Sequence, residues 1–592
     1  MASRQHGAEQ EPLLQNVAGS SLGNNNGSGQ HGYMQNDLEF LLESGPSDLR
    51  CRGVDGPVTV TLSEDVLQVV DTSSGHVARE VWLQDITAVY LRPRGDSTWE
   101  SLSRRNSNSS YGSTLAHDDE DAEIVIVSFP LCAEHGACSK AIWCCLCCYC
   151  CSCCCHTARK RLSCCSSSSD ANNGNMSSST SIMSSSSQVH ASSSPCCGPR
   201  LVRDEMEEIV LSADTPDLVH HWEYAIVAAV SGKNSPDVCI SKSKRMLVII
   251  SPQSGQGRAG EIFASQVKPI FEASRISCEV VETKGPMDAM HIVLHHQDRL
   301  HELDGIIVVG GDGIIFEAMQ GLKRIAGSGR IHVPVGAIPA GSGNGIAASL
   351  HHAVNEPIND PISAAIGIAR GRVQALDMWK VDMLHKDGHV LEPCFASLSI
   401  AWAFVSDTDI ESEPLRALGG ARFTVQAVIN LFRLRKYSST FSYLPFDATQ
   451  DAQTSEDLDG EGLAVDAPAP VTWTSVSGKF LLLWALNVTH PSSTSNLVPE
   501  AAPDSGCIEI VLVRDISRVD FVRGLLALDT GEQFDVPGWE RIRASAFRIE
   551  ALAPETCVPG KLVVDGELLS EPLQRIQVQA TRAQSDFFSY LK

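Results

Sequence analysis

The sequence is short of basic residues. Its 592 residues carry 46 Lys and Arg against 71 Asp and Glu, a formal net charge of −25 at pH 7. Nucleic-acid backbones require clustered Lys and Arg, so a general nucleic-acid binder is excluded. Long apolar runs are missing too: no stretch reaches the length of a membrane span. The first forty residues hold no apolar core. No secretory leader is therefore expected, and the chain is expected to be cytoplasmic, without disulfides. One nucleotide-binding signature is absent, the G-x-x-x-x-G-K-[ST] loop. No internal repeat is found.

What is present is ordinary in bulk and uneven in distribution. Hydrophobic residues make up 43%, and the length calls for roughly two to four domains. Residues 1–37 are Gly, Asn, Gln and Ser with few anchors and are expected to be disordered. Alternating apolar stretches follow, "VTVTLSEDVLQVVD", "EVWLQDITAVYLRP" and "AEIVIVSFP". They predict strands. Further on, "DTPDLVHHWEYAIVAAV" places Leu218, Trp222, Ile226 and Val227 at helical spacing. Strands closed by a helix with a buried Trp resemble a pleckstrin-homology-like module over 38–232. A Cys/Ser-rich arm, 131–200, is expected between its last strand and that helix.

From Lys242 strands and helices alternate: "RMLVIIS", "CEVVET", "DGIIVVG" and "VPVGAIP", each with a helical stretch after it. This predicts an α/β domain over 242–376 with a parallel sheet, its ligand crevice at the carboxyl ends of the strands. Beyond it, 377–592 is mostly β, with an acidic insertion at 447–470 and one amphipathic helix. In that helix Val425, Val428, Ile429 and Phe432 follow the i, i+3, i+4, i+7 rule. Ordinary core packing would produce that spacing, and so would a wall against an apolar ligand.

Three glycine-rich turns each follow a predicted strand: "SPQSGQGRAG" (Ser251–Gly260), "GGDG" (Gly310–Gly313) and "PAGSGNG" (Pro339–Gly345). Glycine admits close backbone approach and positive φ. Successive N–H groups ahead of a helix bind phosphate oxygens. One such turn is commonly just a tight connection; three on consecutive strands point to a phosphate-bearing ligand.

Together, "SPQSGQGRAG…VVGGDGIIFEAMQGL…IPAGSGNGIAASL" resembles the catalytic domain of diacylglycerol kinases and sphingosine kinases. The stretch "SLSIAWAFVSDTDIESEPLRALGGARF" (Ser397–Phe423) is similar to the sphingosine kinase branch, and "VVDGELL" (Val563–Leu569) matches its C-terminal nucleotide motif. NAD kinases and phosphofructokinases share Gly-Gly-Asp-Gly but lack the "AWAFVSD" constellation. The resemblance implies an α/β nucleotide-binding half and a β-sandwich half with the site between them. It implies ATP and Mg²⁺ as cofactors and transfer of the γ-phosphoryl group to the primary hydroxyl of a sphingoid base. Ceramide or diacylglycerol kinase activity, or a catalytically weak membrane-anchored adaptor, are the alternatives.

On that resemblance Asp312 is the general base or hydroxyl-orienting residue; a bare helix cap is the other reading. Glu317, one turn on, supports the site or binds Mg²⁺, or is a plain surface residue. Gly311, Gly313, Gly341, Ser342, Gly343 and Asn344 hold nucleotide phosphate, and Ser251, Gly255 and Gly257 line the first loop. Ser251 stands where the family has Asn. Thr283 aligns with a nucleotide-contacting Thr, with Asp288 in place of the usual Asn/His partner. Asp565 and Glu567 reach Mg²⁺ or adenine, or form a hairpin turn. Asp409 matches the aspartate that recognises the substrate ammonium, and Arg416 and Arg422 match arginines that clamp phosphate. The alternative is a solvated acidic loop of Asp407, Asp409, Glu411 and Glu413 with nearby Arg pairing.

Of 21 cysteines, 13 lie between Cys132 and Cys165. The run Cys144, Cys145, Cys147, Cys148, Cys150, Cys151, Cys153, Cys154 and Cys155 lacks the spaced pairs of a zinc site. Beside Trp143, Tyr149 and Arg159-Lys160-Arg161 it reads as an S-acylated anchor, giving peripheral membrane association. Metal binding and a functionless insertion are the alternatives.

Overall fold

The computed structural model describes residues 49–93, 122–128, 131–133, 201–203, 207–213, 243–447 and 464–589, short gaps aside, with 219, 222–223, 226–227 and 229–230. They fall in one compact unit, Asp48–Lys592. Segment 1–37, the Cys run 144–155 and most of the acidic insertion lie outside the described residues.

The alternating stretches near the N-terminus form a seven-stranded antiparallel sheet. Its order is Val77–Trp82, Val66–Asp71, Val58–Leu62, Leu49–Cys51, Glu207–Ala213, Ala122–Ser128, Ile86–Pro93. One expectation is corrected here. The arm does not leave after the last strand, because Glu207–Ala213 follows it and sits centrally, paired on both sides. The acidic "EEIVLSA" hid this strand; only its pairing buries Ile209 and Leu211.

The Ala122–Ser128 strand is buried on both faces. Ile124 and Ile126 join the module's own core with Trp222, Ile226 and Val230. Val125 and Val127 turn the other way, into the core of the α/β domain. Each such side chain contributes roughly 1.5–3 kcal/mol when fully buried. Two arginines stitch the seam: Arg370 donates to the Leu83 carbonyl at 3.3 Å and Arg372 to that of Val230 at 2.7 Å.

The α/β part is a parallel sheet ordered Ile276–Glu282, Lys244–Ile250, Gly305–Gly310, Val335–Pro339. Met246, Val248, Ile250, Ile307 and Val309 pack on one face, and Leu247, Ile249, Ile306 and Val308 on the other. A sheet covered on both faces needs such continuous apolar strands.

The strand Val373–His385 runs straight through the boundary expected at 376/377. It pairs along its length with the last strand, Leu573–Phe588, with a register shift between Leu376 and Met378. That last strand also pairs Phe587 with Val335, so the parallel sheet continues into the C-terminal strands. Those strands bury Trp379, Trp402, Phe441, Phe480 and Phe547 together. The architecture is mixed α/β, with the glycine turns at one end of the parallel strands.

Candidate functional site

Glycine brings the three turns into contact. A Cβ on Gly255 would lie 2.5 Å from the Ala340 carbonyl oxygen, and one on Gly341 would lie 2.4 Å from Gly311 Cα. Both obstacles are backbone, so only glycine fits. Within the first turn Ser251 donates its N–H to the Val309 carbonyl at 3.1 Å. Gly257 has φ +77°, in the left-handed region. Thr283, beyond the edge strand, donates its N–H to the Ile250 carbonyl at 2.9 Å and so sits beside Ser251. Asp288 accepts the Lys284 N–H at 2.7 Å and serves that turn. Among the described residues, the N–H groups of Gly255, Gly311, Ser342 and Gly343 have no acceptor. They are the donors that a phosphate would need.

Asp312 opens the helix Asp312–Ala326. Its Oδ2 accepts the Gly345 N–H at 2.9 Å and its Oδ1 the Ile346 N–H at 3.2 Å. The capping alternative is thus partly realised, on a different helix: Asp312 caps Gly345–His352, which follows the third turn. Burial pushes its carboxyl above the usual range, and these N–H groups pull the other way. The residue keeps partial solvent exposure.

Other expected site residues are engaged within the fold, and Asn344 is buried. Its side chain accepts from the Gly341 N–H at 2.9 Å and donates to the Gly341 carbonyl at 3.0 Å and Asn359 Oδ1 at 2.6 Å. A left-handed residue at φ +57° needs that internal brace. Gly341 spends its own N–H on the same brace. Glu317 is buried and accepts the Ala289 N–H at 3.1 Å, capping the helix Asp288–His295. Burial raises its pKa. Asp565 turns inward, 1% exposed, and accepts N–H bonds from Ser397, Leu398 and Ser399 at 2.7, 2.9 and 2.8 Å. Burial pushes it up to about 7, with the Asp312 charge adding to the shift. Glu567, from the same turn, does reach the site: a Cβ on Gly313 would lie 2.3 Å from its Oε1.

The "AWAFVSD" stretch is the strand Ser399–Ala403 followed at once by the helix Phe404–Glu411. Ala403 makes the turn at φ +68°, a strained position for a residue with a Cβ. The acidic stretch is therefore helical through Glu411, and its acids are paired. Asp407 accepts from Tyr437 Oη at 2.6 Å and Arg435 at 2.9 Å; Glu411 accepts from Arg435 at 2.6 Å and Lys561 at 2.9 Å. Arg422 binds Glu413 tightly and lies 3.6 Å from Asp409 Oδ1. The expected phosphate clamp thus faces carboxylates. The side chain of Arg416 lies outside the described residues.

The helix Ala421–Arg433 reverses the core-packing alternative. Arg422, Gln426 and Asn430 are its buried residues, while Val425, Val428, Ile429 and Phe432 are exposed, Phe432 by 79%. The sequence reading also missed a loop from the C-terminal half. Ser493 donates its N–H to the Gly343 carbonyl at 2.7 Å, and the His490 N–H donates to Ser349 Oγ at 2.9 Å. His490 is pushed down to about 4, first by burial and then by His352, so it stays neutral. No sequence signal links these partners.

Residues 245–381 match the family model of the diacylglycerol kinase catalytic domain. Sphingosine kinase 1 of Arabidopsis thaliana is 31% identical over 348 residues, 56% of this chain and 70% of that one. Sphingosine kinase 1 of Mus musculus is 31% identical over 340 residues, 55% and 86%. Sphingosine kinase 1 of Homo sapiens is 30% identical over 345 residues, 56% and 88%. Among solved structures, a diacylglycerol kinase from Bacillus anthracis is 17% identical with a TM-score of 0.37, covering 59% of this chain and 98% of that one. That likeness is too distant to bear on activity.

Proposed function

The chain belongs to the sphingosine kinase family, and on that premise we propose that Asp312 is the base of a phosphoryl transfer from ATP to a sphingoid base. The protein is an ATP-dependent lipid kinase. The observation that carries the residue assignment is the meeting of three glycine turns at one carboxylate, with N–H donors of Gly255, Gly311, Ser342 and Gly343 open around it. The terminal phosphates of ATP bind those donors. The primary hydroxyl of the lipid attacks the γ-phosphorus, the bond to the β,γ-bridging oxygen breaks, and the hydroxyl proton passes to Asp312. A carboxyl raised by burial holds that proton better than an ordinary aspartate.

Glu567 is the carboxylate that would hold Mg²⁺, with phosphate oxygens and water completing its shell. The donor set fits, since Mg²⁺ with nucleotide needs only one or two carboxylates. Bound there, the ion neutralises phosphate charge. Asp565 is spent on backbone and shapes the site from behind. Asp409 recognises the substrate ammonium.

The exposed stripe Val425, Val428, Ile429 and Phe432 supports a lipid-facing role for its helix, toward the bilayer that holds the substrate. The acylated Cys arm is the second membrane signal. We read the N-terminal sheet as pleckstrin-homology-like and the C-terminal strands as a sandwich.

Labelled ATP offered with sphingosine, phytosphingosine, ceramide and diacylglycerol in parallel tests the substrate. Label enters the two free bases; preferential labelling of diacylglycerol or ceramide overturns the assignment. For the arm, a hydroxylamine-sensitive acyl label is expected and is lost on deleting 144–155. Membrane attachment unchanged by that deletion refutes the anchor.

A further inference from the structure

The helix that Asp312 caps, Gly345–His352, carries a buried hydroxyl that helicity does not call for. Alanine favours a helix more, and a serine that bonds back to its own helix slightly weakens it. Ser349 is 8% exposed and does bond back: its Oγ donates to the Gly345 carbonyl at 2.9 Å. The same oxygen accepts the His490 N–H at 2.9 Å, and the His490 carbonyl lies 3.3 Å away. Gly345 is the residue whose N–H holds Asp312 Oδ2 at 2.9 Å. One hydroxyl therefore joins the first turn of the capped helix to the C-terminal half.

We infer that Ser349 is a positioning residue for Asp312, locking the helix that aims the carboxylate to the half of the chain that brings the lipid. This rests on the reading of Asp312 as the base.

Three observations carry it. First, the loop around His490 touches the chain on both sides of the bond to Asp312. A Cβ on Gly345 would lie 2.7 Å from the His490 and Pro491 carbonyl oxygens. The Ser493 N–H donates to the Gly343 carbonyl at 2.7 Å, and a Cβ on Gly343 would lie 3.0 Å from Asp312 Oδ2. Second, that loop is tied firmly to the C-terminal strands. It follows the strand Thr474–Leu486, which pairs with Ser399–Ala403, the strand leading into the helix that carries Asp409. Asn487 Nδ2 donates to the Ser397 and Asp377 carbonyls at 2.8 and 2.9 Å. Third, the His490 imidazole stays neutral, held so by burial and by His352, whose ring centroid is 4.5 Å away. Hydrogen bonds, not an ion pair, therefore make this contact. Asp312 belongs to the α/β half and the lipid to the other, so their register is set where the halves touch. A misplacement of about 1 Å can cost 100-fold in rate.

Full-length variants test this: Ser349→Ala, Ser349→Cys, Asp312→Asn and the double variant Asp312→Asn/Ser349→Ala. Calorimetry gives the number of ATP sites and ATP Kd, and kcat is expressed per site, which removes any unfolded fraction. Sphingosine KM and melting temperature are measured alongside. Ser349→Ala lowers kcat by about tenfold to 100-fold, with ATP Kd and sphingosine KM within about twofold of wild type. Ser349→Cys, nearly the same size with a weaker donor and acceptor, falls between the two. Should the Ala variant fail to fold, the Cys variant decides by the same split. In the double variant the Ala substitution adds no further loss, because the hydroxyl acts through Asp312. An unchanged kcat overturns the proposal, and so does a fall in kcat matched by ATP Kd and sphingosine KM; the hydroxyl then only satisfies a buried N–H. A full additional loss in the double variant overturns it as well. If Asp312→Asn keeps wild-type turnover, the base reading itself has failed. If Asp312→Asn collapses and the Ser349 variants do not, only the positioning role has failed.

Discussion

Asp312→Asn is expected to lose phosphorylation of sphingoid bases by roughly 100- to 10,000-fold in kcat, the range that general-base catalysis contributes. The amide is nearly isosteric but cannot take the hydroxyl proton. Its remaining oxygen can still accept one N–H of the helix Gly345–His352, where the carboxylate accepts those of Gly345 and Ile346. The amide NH₂ then faces the other donor, so half the cap is lost, at a cost of about 1 kcal/mol. The expected signature is collapse of the single-turnover rate, with ATP Kd within a few-fold of wild type and a small drop in melting temperature. Wild-type turnover in this variant would remove Asp312 from the chemistry. Loss of ATP binding in step with a large fall in stability would show that it acts only as a cap.

The second large effect falls on stability. Asp565→Ala leaves three buried donors, the N–H groups of Ser397, Leu398 and Ser399, without their acceptor. Each orphaned donor costs about 1–3 kcal/mol, so a loss of roughly 3–5 kcal/mol is expected in denaturant unfolding if the backbone relaxes in part. An unchanged midpoint would show that water replaces the carboxylate. The wild-type group also ties stability to pH. Its folded-state pKa is raised from 3.8 to about 7 by burial. A raised carboxyl contributes fully below its unfolded value and loses that contribution as pH climbs through its folded value. Measured against Asp565→Asn, which cannot titrate, wild-type stability should therefore fall between about pH 4 and pH 7. Linkage carries that shift to at most about 4 kcal/mol. A rise with pH over that window would reverse the assignment.

Much of the site was readable from residue order. The apolar strands ending in glycine turns are where the parallel sheet places them, because continuous burial and glycine's φ freedom are local demands. Asp312 at the head of a helix was legible for the same reason. What its carboxylate touches was not: the expected cap was its own helix, and the observed one begins 33 residues on. Asn344 and Glu317 follow the same rule. Each sits in the expected turn or helix and points its polar atoms at partners that sequence spacing does not reveal. The helix Ala421–Arg433 is the plainest case. Periodicity located the helix but left its facing open, since a stripe that suits a core suits a bilayer equally well.

Sequence alone determined the strands of the parallel sheet, the three glycine turns, the identity of the carboxylates and hence the family, for these depend on φ freedom, side-chain period and residue type within short windows. Tertiary structure decided which acid meets which donor. Asp565 closes on a backbone 168 residues away, and Ser493 reaches across to the third glycine turn. Such pairings are chosen by burial: once water is excluded, each buried polar atom must find a partner, and the fold brings that partner from elsewhere in the chain.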